Sequence, residues 1–155
     1  MICILGEDLW ILERLEQEAY TTENILCAQS NLMKGYYESE DYSKAVDYAE
    51  KVLLKDKVEK AVEADAKVII ARSAFKTGDF TTSEEYFIEV GRTATGELKA
   101  ETLYYDAFYK YENKEHEESN KIVQKLTADY SAYKYWGVKS YVIMAKNYYA
   151  LKDAY

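Results

Sequence analysis

The sequence predicts an all-α fold that consists of consecutive helical hairpins. Apolar residues recur along most of the 155-residue chain at the i, i+3, i+4, i+7 spacing of amphipathic helices. The chain contains no proline, the residue that most strongly breaks a helix. One short turn of aromatic, polar and acidic residues recurs four times, as YESEDY (37–42), FKTGDF (75–80), YENKEH (111–116) and YALKDA (149–154).

Residues 1–25 are predicted to form an N-terminal helix that packs on the first repeat. Their apolar side chains share one helical face, which holds Leu5, Leu9, Leu12, Leu15 and Ala19. The segment TTEN (21–24) indicates a helix boundary, because Thr and Asn side chains can cap exposed backbone N–H groups.

Residues 26–155 contain three complete copies and one partial copy of a helix–turn–helix unit. Apolar stripes flank each turn, such as Leu32, Met33, Tyr36 and Tyr37 before the first turn, and Phe87, Ile88 and Val90 after the second. Alignment of the turns places the repeat starts at Leu26, Ala64, Ala100 and Val138, with spacings of 38, 36 and 38 residues. The predicted repeats are 26–63, 64–99, 100–137 and, in part, 138–155.

Small residues occupy two fixed positions of the unit. The position in the first helix holds Ala71, Ala107 and Ala145, with Met33 in the first copy, and the position that opens the second helix holds Ala45, Ser83 and Ser119. This pattern resembles the tetratricopeptide repeat, a 34-residue helical hairpin with small residues where its two helices touch. The proline and the leading tryptophan of that consensus are missing, and its turn glycine survives only as Gly78, so the repeats are divergent.

The resemblance implies an architecture and a setting. We expect a right-handed α-α superhelix, a solenoid of about three and a half helical hairpins plus the N-terminal helix. Tyrosine-rich, proline-poor repeats look similar to bacterial ones, which are often portions of larger, envelope-associated chains. We therefore expect a segment of a larger protein, and the resemblance leaves open whether it is cytoplasmic or periplasmic and envelope-associated.

The resemblance also implies which residues line the concave groove. Its inward-facing positions are the second, fifth, ninth and twelfth of each repeat, and the predicted partner-binding residues there are Lys34, Tyr37, Arg72, Phe75, Tyr104, Phe108, Tyr111, Lys146 and Tyr149. The twelfth position is aromatic in every copy and the ninth is basic in three of four. Aromatic residues flanked by cations suit an acidic peptide or partner helix. In the alternative interpretation, the aromatics only fill space between successive helices.

Composition excludes several classes of partner. A formal net charge of −8 argues against nucleic-acid binding, which needs a basic surface, and against attraction to an anionic membrane. No apolar run approaches the roughly 20 residues that span a bilayer. The N-terminus lacks a basic segment and reaches Glu7 and Asp8 after a short apolar run, so no signal peptide is predicted in this chain.

The sequence offers little catalytic chemistry. Phosphate-binding, zinc-protease and nucleophile-elbow motifs are missing, and one histidine with two cysteines cannot supply the usual zinc ligand sets. His116 aligns with Tyr42 and Phe80, which favours a structural role between the two helices of a hairpin. We therefore expect no enzymatic activity, no metal and no cofactor. A hydrolase that uses His116 or paired carboxylates is the least favoured alternative.

The predicted function is a non-enzymatic scaffold that holds a protein or peptide in the concave groove. The leading alternative is a structural solenoid segment that self-assembles through its end faces. The last predicted helix has no covering helix in the sequence, so self-association through this uncapped C-terminal helix is a further expectation.

Overall fold

The computed structural model describes residues 9–152, and within them the chain is entirely helical. No strand is found in this part, which confirms the all-α prediction. Its eight helices are α1 (Leu9–Glu18), α2 (Thr22–Glu38), α3 (Tyr42–Leu53), α4 (Lys60–Thr77), α5 (Phe80–Gly91), α6 (Gly96–Glu112), α7 (His116–Asp129) and α8 (Lys134–Lys152). None of these helices combines the length and hydropathy needed to cross a membrane.

The helix boundaries follow a regular period. Helices α2, α4, α6 and α8 begin at Thr22, Lys60, Gly96 and Lys134, which are separated by 38, 36 and 38 residues. The first three of these helices end at a turn that leads into α3, α5 and α7. The fourth predicted turn differs, because residues 149–152 are helical and continue α8 to Lys152. The rest of that segment lies outside the described residues.

The helices group into two compact units, one that ends at Tyr86 and one that begins at Phe87. In the first unit, α2 packs against α1, α3 and α4, and α3 also packs against α4. In the second unit, α6, α7 and α8 all pack against one another. Each unit therefore contains two first helices side by side, with the second helix of the earlier hairpin against both.

The three turns between paired helices share one backbone conformation. Glu40, Gly78 and Lys114 have φ angles of 63°, 85° and 64°, in the left-handed region that disfavours residues with a side chain. The next residue of each turn donates its backbone N–H to a carbonyl five residues earlier, at N···O distances of 2.9, 2.9 and 2.8 Å. These bonds satisfy carbonyls at the helix end that would otherwise lack partners. Because the same hydrogen bond forms in all three turns, this turn conformation does not require glycine.

The small residues lie where the helices of a hairpin meet. Ser83 Oγ donates to the carbonyl of Ala71 at 2.7 Å, and Ser119 Oγ donates to the carbonyl of Ala107 at the same distance. All four residues are buried. A side chain larger than alanine or serine would separate the helices and break this bond. The spacing of small residues in the sequence therefore marks real helix contacts in both units.

The core of the first unit is formed by the apolar stripes of α2, α3 and α4. Its fully buried members include Leu32, Met33, Ala45, Ala49 and Val52. In α5 the predicted stripe is only partly buried. Phe87 and Val90 are 2% and 4% exposed, whereas Ile88 is 50% exposed. Adjacent helical residues point about 100° apart, so Ile88 cannot share the buried face of Phe87.

Candidate functional site

In the first unit, the predicted groove residues make contacts within the protein. Lys34 Nζ lies 2.5 Å from Oδ2 of Asp65, which joins α2 to α4. Arg72 is half-buried and has interactions with other residues of the chain. Tyr37 and Phe75 are half-buried. The Lys34 ammonium is therefore already balanced by a carboxylate, which weakens its attraction for an acidic ligand.

The aromatic residue that ends each first helix contacts the residue that opens the second. Ring centroids are 5.7 Å apart for Tyr37 and Tyr42, 5.4 Å for Phe75 and Phe80, and 5.7 Å for Tyr111 and His116. Tilted aromatic pairs at such distances are favourable beyond the area they bury. These three aromatics consequently close the end of their own hairpin, and each leaves only part of its ring for a ligand.

In the second unit, the predicted groove residues lie around two lysines of α8. Lys139 Nζ is 4.3 Å from the ring centroid of Tyr104, and it also lies 5.1 Å from that of Trp136. Lys146 Nζ lies 5.6 Å from the ring centroid of Tyr111. Tyr104 is buried, so its ring serves mainly as a support for Lys139. Such cation–π contacts fix a lysine without neutralising its charge.

One exposed surface of the second unit unites aromatic and basic side chains. We name it the aromatic–basic face, and its members on α6 and α8 are Phe108, Tyr111, Lys139, Val142, Lys146 and Tyr149. The four members on α8 are spaced by three, four and three residues, so they share one side of the helix. Val142 and Tyr149 are 55% and 72% exposed. Glu101, at the matching second position of α6, is only 2% exposed, so its carboxylate is withdrawn from this surface.

His116 belongs to a buried polar network rather than to an open site. Asn147 is fully buried, and its Nδ2 donates to Ser119 Oγ at 2.8 Å and to Asn120 Oδ1 at 2.9 Å. The Asn147 Oδ1 atom lies 3.0 Å from Nδ1 of His116. With both amide hydrogens donated, Oδ1 is the acceptor, so Nδ1 of His116 carries the proton. The hydrogen bond from Nδ1 of His116 to Oδ1 of Asn147 joins α7 to α8. This contact supports the structural role that the alignment predicts for His116.

A second polar network lies in the first unit, where α1 meets α2 and α3. The Tyr36 hydroxyl donates to Glu13 Oε1, and Gln29 Nε2 donates to Glu16 Oε1 at 2.7 Å. Burial and the Glu13 carboxylate raise the pKa of Tyr36 to about 12. Burial also raises the pKa of Tyr48, assisted by Glu16. These carboxylates are acceptors for phenols and an amide, and their geometry fixes α1 to the first hairpin.

The predicted site left out Lys139, a member of the aromatic–basic face, and the buried Trp136 ring that lies beside it. Lys139 stands at an inward-facing position, but its partner Tyr104 lies 35 residues earlier, on α6. Trp136 precedes the fourth repeat start and therefore lay outside the register. The signal that could have identified them is the spacing of three residues between Trp136 and Lys139, which brings both to neighbouring positions of one helix.

Neither metal chemistry nor a known relative identifies the site. Within residues 9–152, no three His, Cys, Asp or Glu side chains are grouped so that they could hold a metal ion. Comparison of the chain with protein-family models, with curated proteins and with solved structures finds no match. The functional argument therefore depends on the surfaces of the protein itself.

Proposed function

We propose that this protein is a non-enzymatic scaffold with divergent tetratricopeptide-like repeats that binds an acidic peptide on the aromatic–basic face. The resemblance in sequence is supported by the shared period of the helices and by the same small-residue contact in both units. In this proposal the hairpins form a right-handed superhelix, and their first helices line its inner surface.

The observation that carries the proposal is the character of the face on α8. It presents Lys139 and Lys146 together with exposed Val142 and Tyr149, while the nearby Glu101 carboxylate is buried. An extended or helical peptide with alternating acidic and apolar side chains would complement both features. Aromatic anchors provide most of the affinity in such interfaces, and charges provide specificity and rate.

The corresponding surface in the first unit supports binding less well. There the Lys34 ammonium is paired with the Asp65 carboxylate. An acidic ligand would have to displace a carboxylate that is already in place. We therefore assign the peptide contact to the second unit, and we assign the predicted residues Lys34, Tyr37, Arg72 and Phe75 to supporting positions.

A panel of fluorescein-labelled synthetic peptides tests this function. The panel alternates Glu with Leu or Tyr, and its matched counterparts carry Lys in place of Glu. Fluorescence anisotropy should show binding of the acidic series alone. A Lys146→Glu substitution should weaken binding by roughly ten-fold, because it replaces an attraction by a repulsion.

Lys125 provides the matched control, since it is exposed on α7 and lies outside the face. Lys125→Glu changes the net charge by the same amount, so it should leave the affinity close to that of the native chain. Equal affinity for acidic and basic peptides would contradict the proposal. So would equal losses in the two lysine variants, because binding would then follow overall charge.

A further inference from the structure

Helix α8 has a second exposed apolar strip, which lies about 100° around the helix from the aromatic–basic face. We name it the outer face of α8, and its members are Val138, Tyr141, Ala145 and Tyr148. Their spacing of three, four and three residues places them along one side of the helix. Within the described part of the chain, Val138, Tyr141 and Tyr148 are 65%, 56% and 49% exposed. A continuous apolar strip of this kind normally faces another helix.

The repeat register identifies what covers this side of a first helix. Ala145 aligns with Ala71 and Ala107, and both of these are fully buried. The carbonyls of Ala71 and Ala107 accept hydrogen bonds from Ser83 and Ser119 of the second helix in the same hairpin. The outer face of α8 is therefore shaped for an antiparallel second helix.

Helix α1 is placed as a second helix, and among the described residues it lacks the first helix that would pair with it. It precedes and packs against the first helix α2, just as α3 packs against α4 and α7 against α8. It thus occupies the place of a second helix, without a first helix ahead of it among the described residues. Its exposed apolar side chains are Trp10, Ile11 and Leu15, at 61%, 41% and 42%, and of these Ile11 and Leu15 lie one turn apart on the same side of the helix.

The spacing on α1 matches that of the helices that cover a first helix. Ile11, Leu15 and Glu18 are separated by four and three residues. The same intervals separate the buried residues of α3, which are Ala45, Ala49 and Val52, and those of α7, which are Ser119, Val123 and Leu126. At the position where the two helices of a hairpin meet, at least one of the two facing residues is small in every hairpin. A pair of Ala145 with Ile11 would keep that rule.

We propose that two copies of this chain associate head to tail, with α1 of one copy docked on the outer face of α8 of the next. The two helices run antiparallel, so that Ile11 contacts Ala145 and Leu15 contacts Tyr141. In this contact α1 covers the outer face of α8 in the way that the second helix of a hairpin covers its first helix. A cavity of about 230 Å³ beside Val138 and Tyr141 lies at the α8 end that receives the C-terminal end of α1, where Tyr20 is fully exposed.

Charge favours this pairing over a symmetric contact of α8 with itself. Helix α8 contains four lysines and no acidic residue, whereas α1 contains three glutamates and one arginine. A symmetric α8 pair would bring eight lysines together without a carboxylate on either helix. A contact between unlike surfaces leaves both ends of a dimer open, so it continues into chains or closes into a ring.

Analytical ultracentrifugation across a wide range of protein concentration tests the proposal. The native chain should form oligomers whose size grows with concentration, and added salt should reduce them. Ala145→Glu blocks α8, and Ile11→Glu blocks α1. Each change should weaken self-association by roughly thirty-fold, as expected for a charge placed at the centre of an apolar contact. Both positions are exposed, so the variants should fold.

Mixing the two variants gives the decisive measurement. The mixture retains one productive contact, α1 of the Ala145→Glu chain on α8 of the Ile11→Glu chain. It should form a heterodimer and nothing larger, while each variant alone is a monomer. A blue shift of tryptophan fluorescence should accompany association, because Trp10 becomes buried while Trp136 is buried already.

Three outcomes would overturn the proposal. A native chain that stays monomeric at every concentration would leave the outer face to a different protein. Self-association of Ile11→Glu alone would reveal a symmetric α8 contact, and self-association of Ala145→Glu alone would reveal a contact through α1. The control is Lys146→Glu, which changes the charge on the aromatic–basic face about 100° around α8 from Ala145. It should lower peptide affinity and leave assembly unchanged, so the two proposals can fail separately.

Discussion

The two units use one helical register but differ in the chemistry between a hairpin and the next first helix. Between α7 and α8, the buried Asn147 amide joins His116, Ser119 and Asn120 in one hydrogen-bonded network. In the first unit, the aligned positions of α3 hold Tyr42, Ala45 and Val46, and the position aligned with Asn147 holds Ser73. The Ser73 hydroxyl is buried and has no hydrogen-bond partner.

The first unit places its polar network elsewhere. Its part-buried side-chain hydrogen bonds connect α1 to α2, through Glu13 with Tyr36 and through Glu16 with Gln29. These contacts involve carboxylates, whereas those of Asn147 involve amides, a hydroxyl and one imidazole. The comparison shows that helix period and small-residue contacts define the hairpin, while each interface is free to be apolar or polar. Where every member of a polar network is hydrogen-bonded, the side chains must also keep specific distances and angles, which an apolar contact does not require.

Replacement of Asn147 by leucine should have the largest effect on stability. The substitution keeps the volume but leaves His116, Asn120 and Ser119 each without one hydrogen-bond partner. We expect the free energy of unfolding to fall by about 3 kcal/mol, since each unsatisfied buried group costs about 1 kcal/mol or more. Urea denaturation measures the loss. Hydrogen exchange should show faster opening of α7 and α8 than of α2 and α3.

Ser73→Ala in the first unit is the matched control for this experiment. It removes a buried hydroxyl that bonds to nothing, so we expect stability to change by less than about 1 kcal/mol, and toward greater stability. A loss comparable with that of Asn147→Leu would show that the two interfaces are equally dependent on polar groups. The comparison between the units would then be wrong.

The sequence predicted the part of the fold that depends on local pattern. Helical period, the recurring turn and the small residues Ala107 and Ser119 are all visible within one repeat, and the structure places them in the hairpin. The networks could not be predicted in the same way. Asn147 is one of several polar residues on α8, and its partners lie 27 to 31 residues earlier. The alignment of His116 with Tyr42 indicated burial but could not name the partner.

The sequence predicted which repeat positions hold the candidate site residues, but it did not predict the contacts that surround them. The twelfth-position aromatics occur where the register put them, yet contacts such as that of Phe75 with Phe80 depend on how the turn folds. Lys34 and Lys146 occupy the same repeat position, but Lys34 meets the Asp65 carboxylate of the next repeat, whereas Lys146 lies against the ring of Tyr111. The environment of a groove residue therefore depends on its neighbour in the next first helix, which its own repeat position does not reveal.

The ionisable network of the first unit predicts a loss of stability at alkaline pH. In the folded chain the pKa of Tyr36 is about 12, against 10.0 for an ordinary tyrosine. The folded state thus holds this proton more tightly than the unfolded state does. The resulting stability is complete below pH 10 and is lost as the pH rises toward 12, by about 2 kcal/mol in total.

Tyr36→Phe isolates this contribution, because the other tyrosines titrate in both proteins. The variant should be less stable than the native chain below pH 10, since it loses the hydrogen bond to Glu13. The two stabilities, measured by urea denaturation, should converge as the pH increases. A constant difference across this range would mean that Tyr36 titrates alike in the folded and unfolded chains.

The smallest predicted effects concern the turns, the feature that both units share. Gly78 in the first unit and Lys114 in the second have φ angles of 85° and 64°. A side chain in this region costs about 1 kcal/mol, so Gly78→Ala should destabilise the protein by that amount. Lys114→Gly should be stabilising, but by less, because glycine also increases the entropy of the unfolded chain.

Thermal and urea denaturation of the two turn variants measure these opposite shifts. No atom lies within 4 Å of the position that a Cβ at residue 78 would take, so a loss in Gly78→Ala reports backbone strain and not a steric clash. Asn113→Ala is the control for Lys114→Gly, since it changes an exposed residue of the same turn without altering a left-handed position. A loss in Gly78→Ala together with a smaller gain in Lys114→Gly would show that the same backbone strain acts in both turns. No gain in Lys114→Gly would mean that the polar α7–α8 interface also constrains its turn.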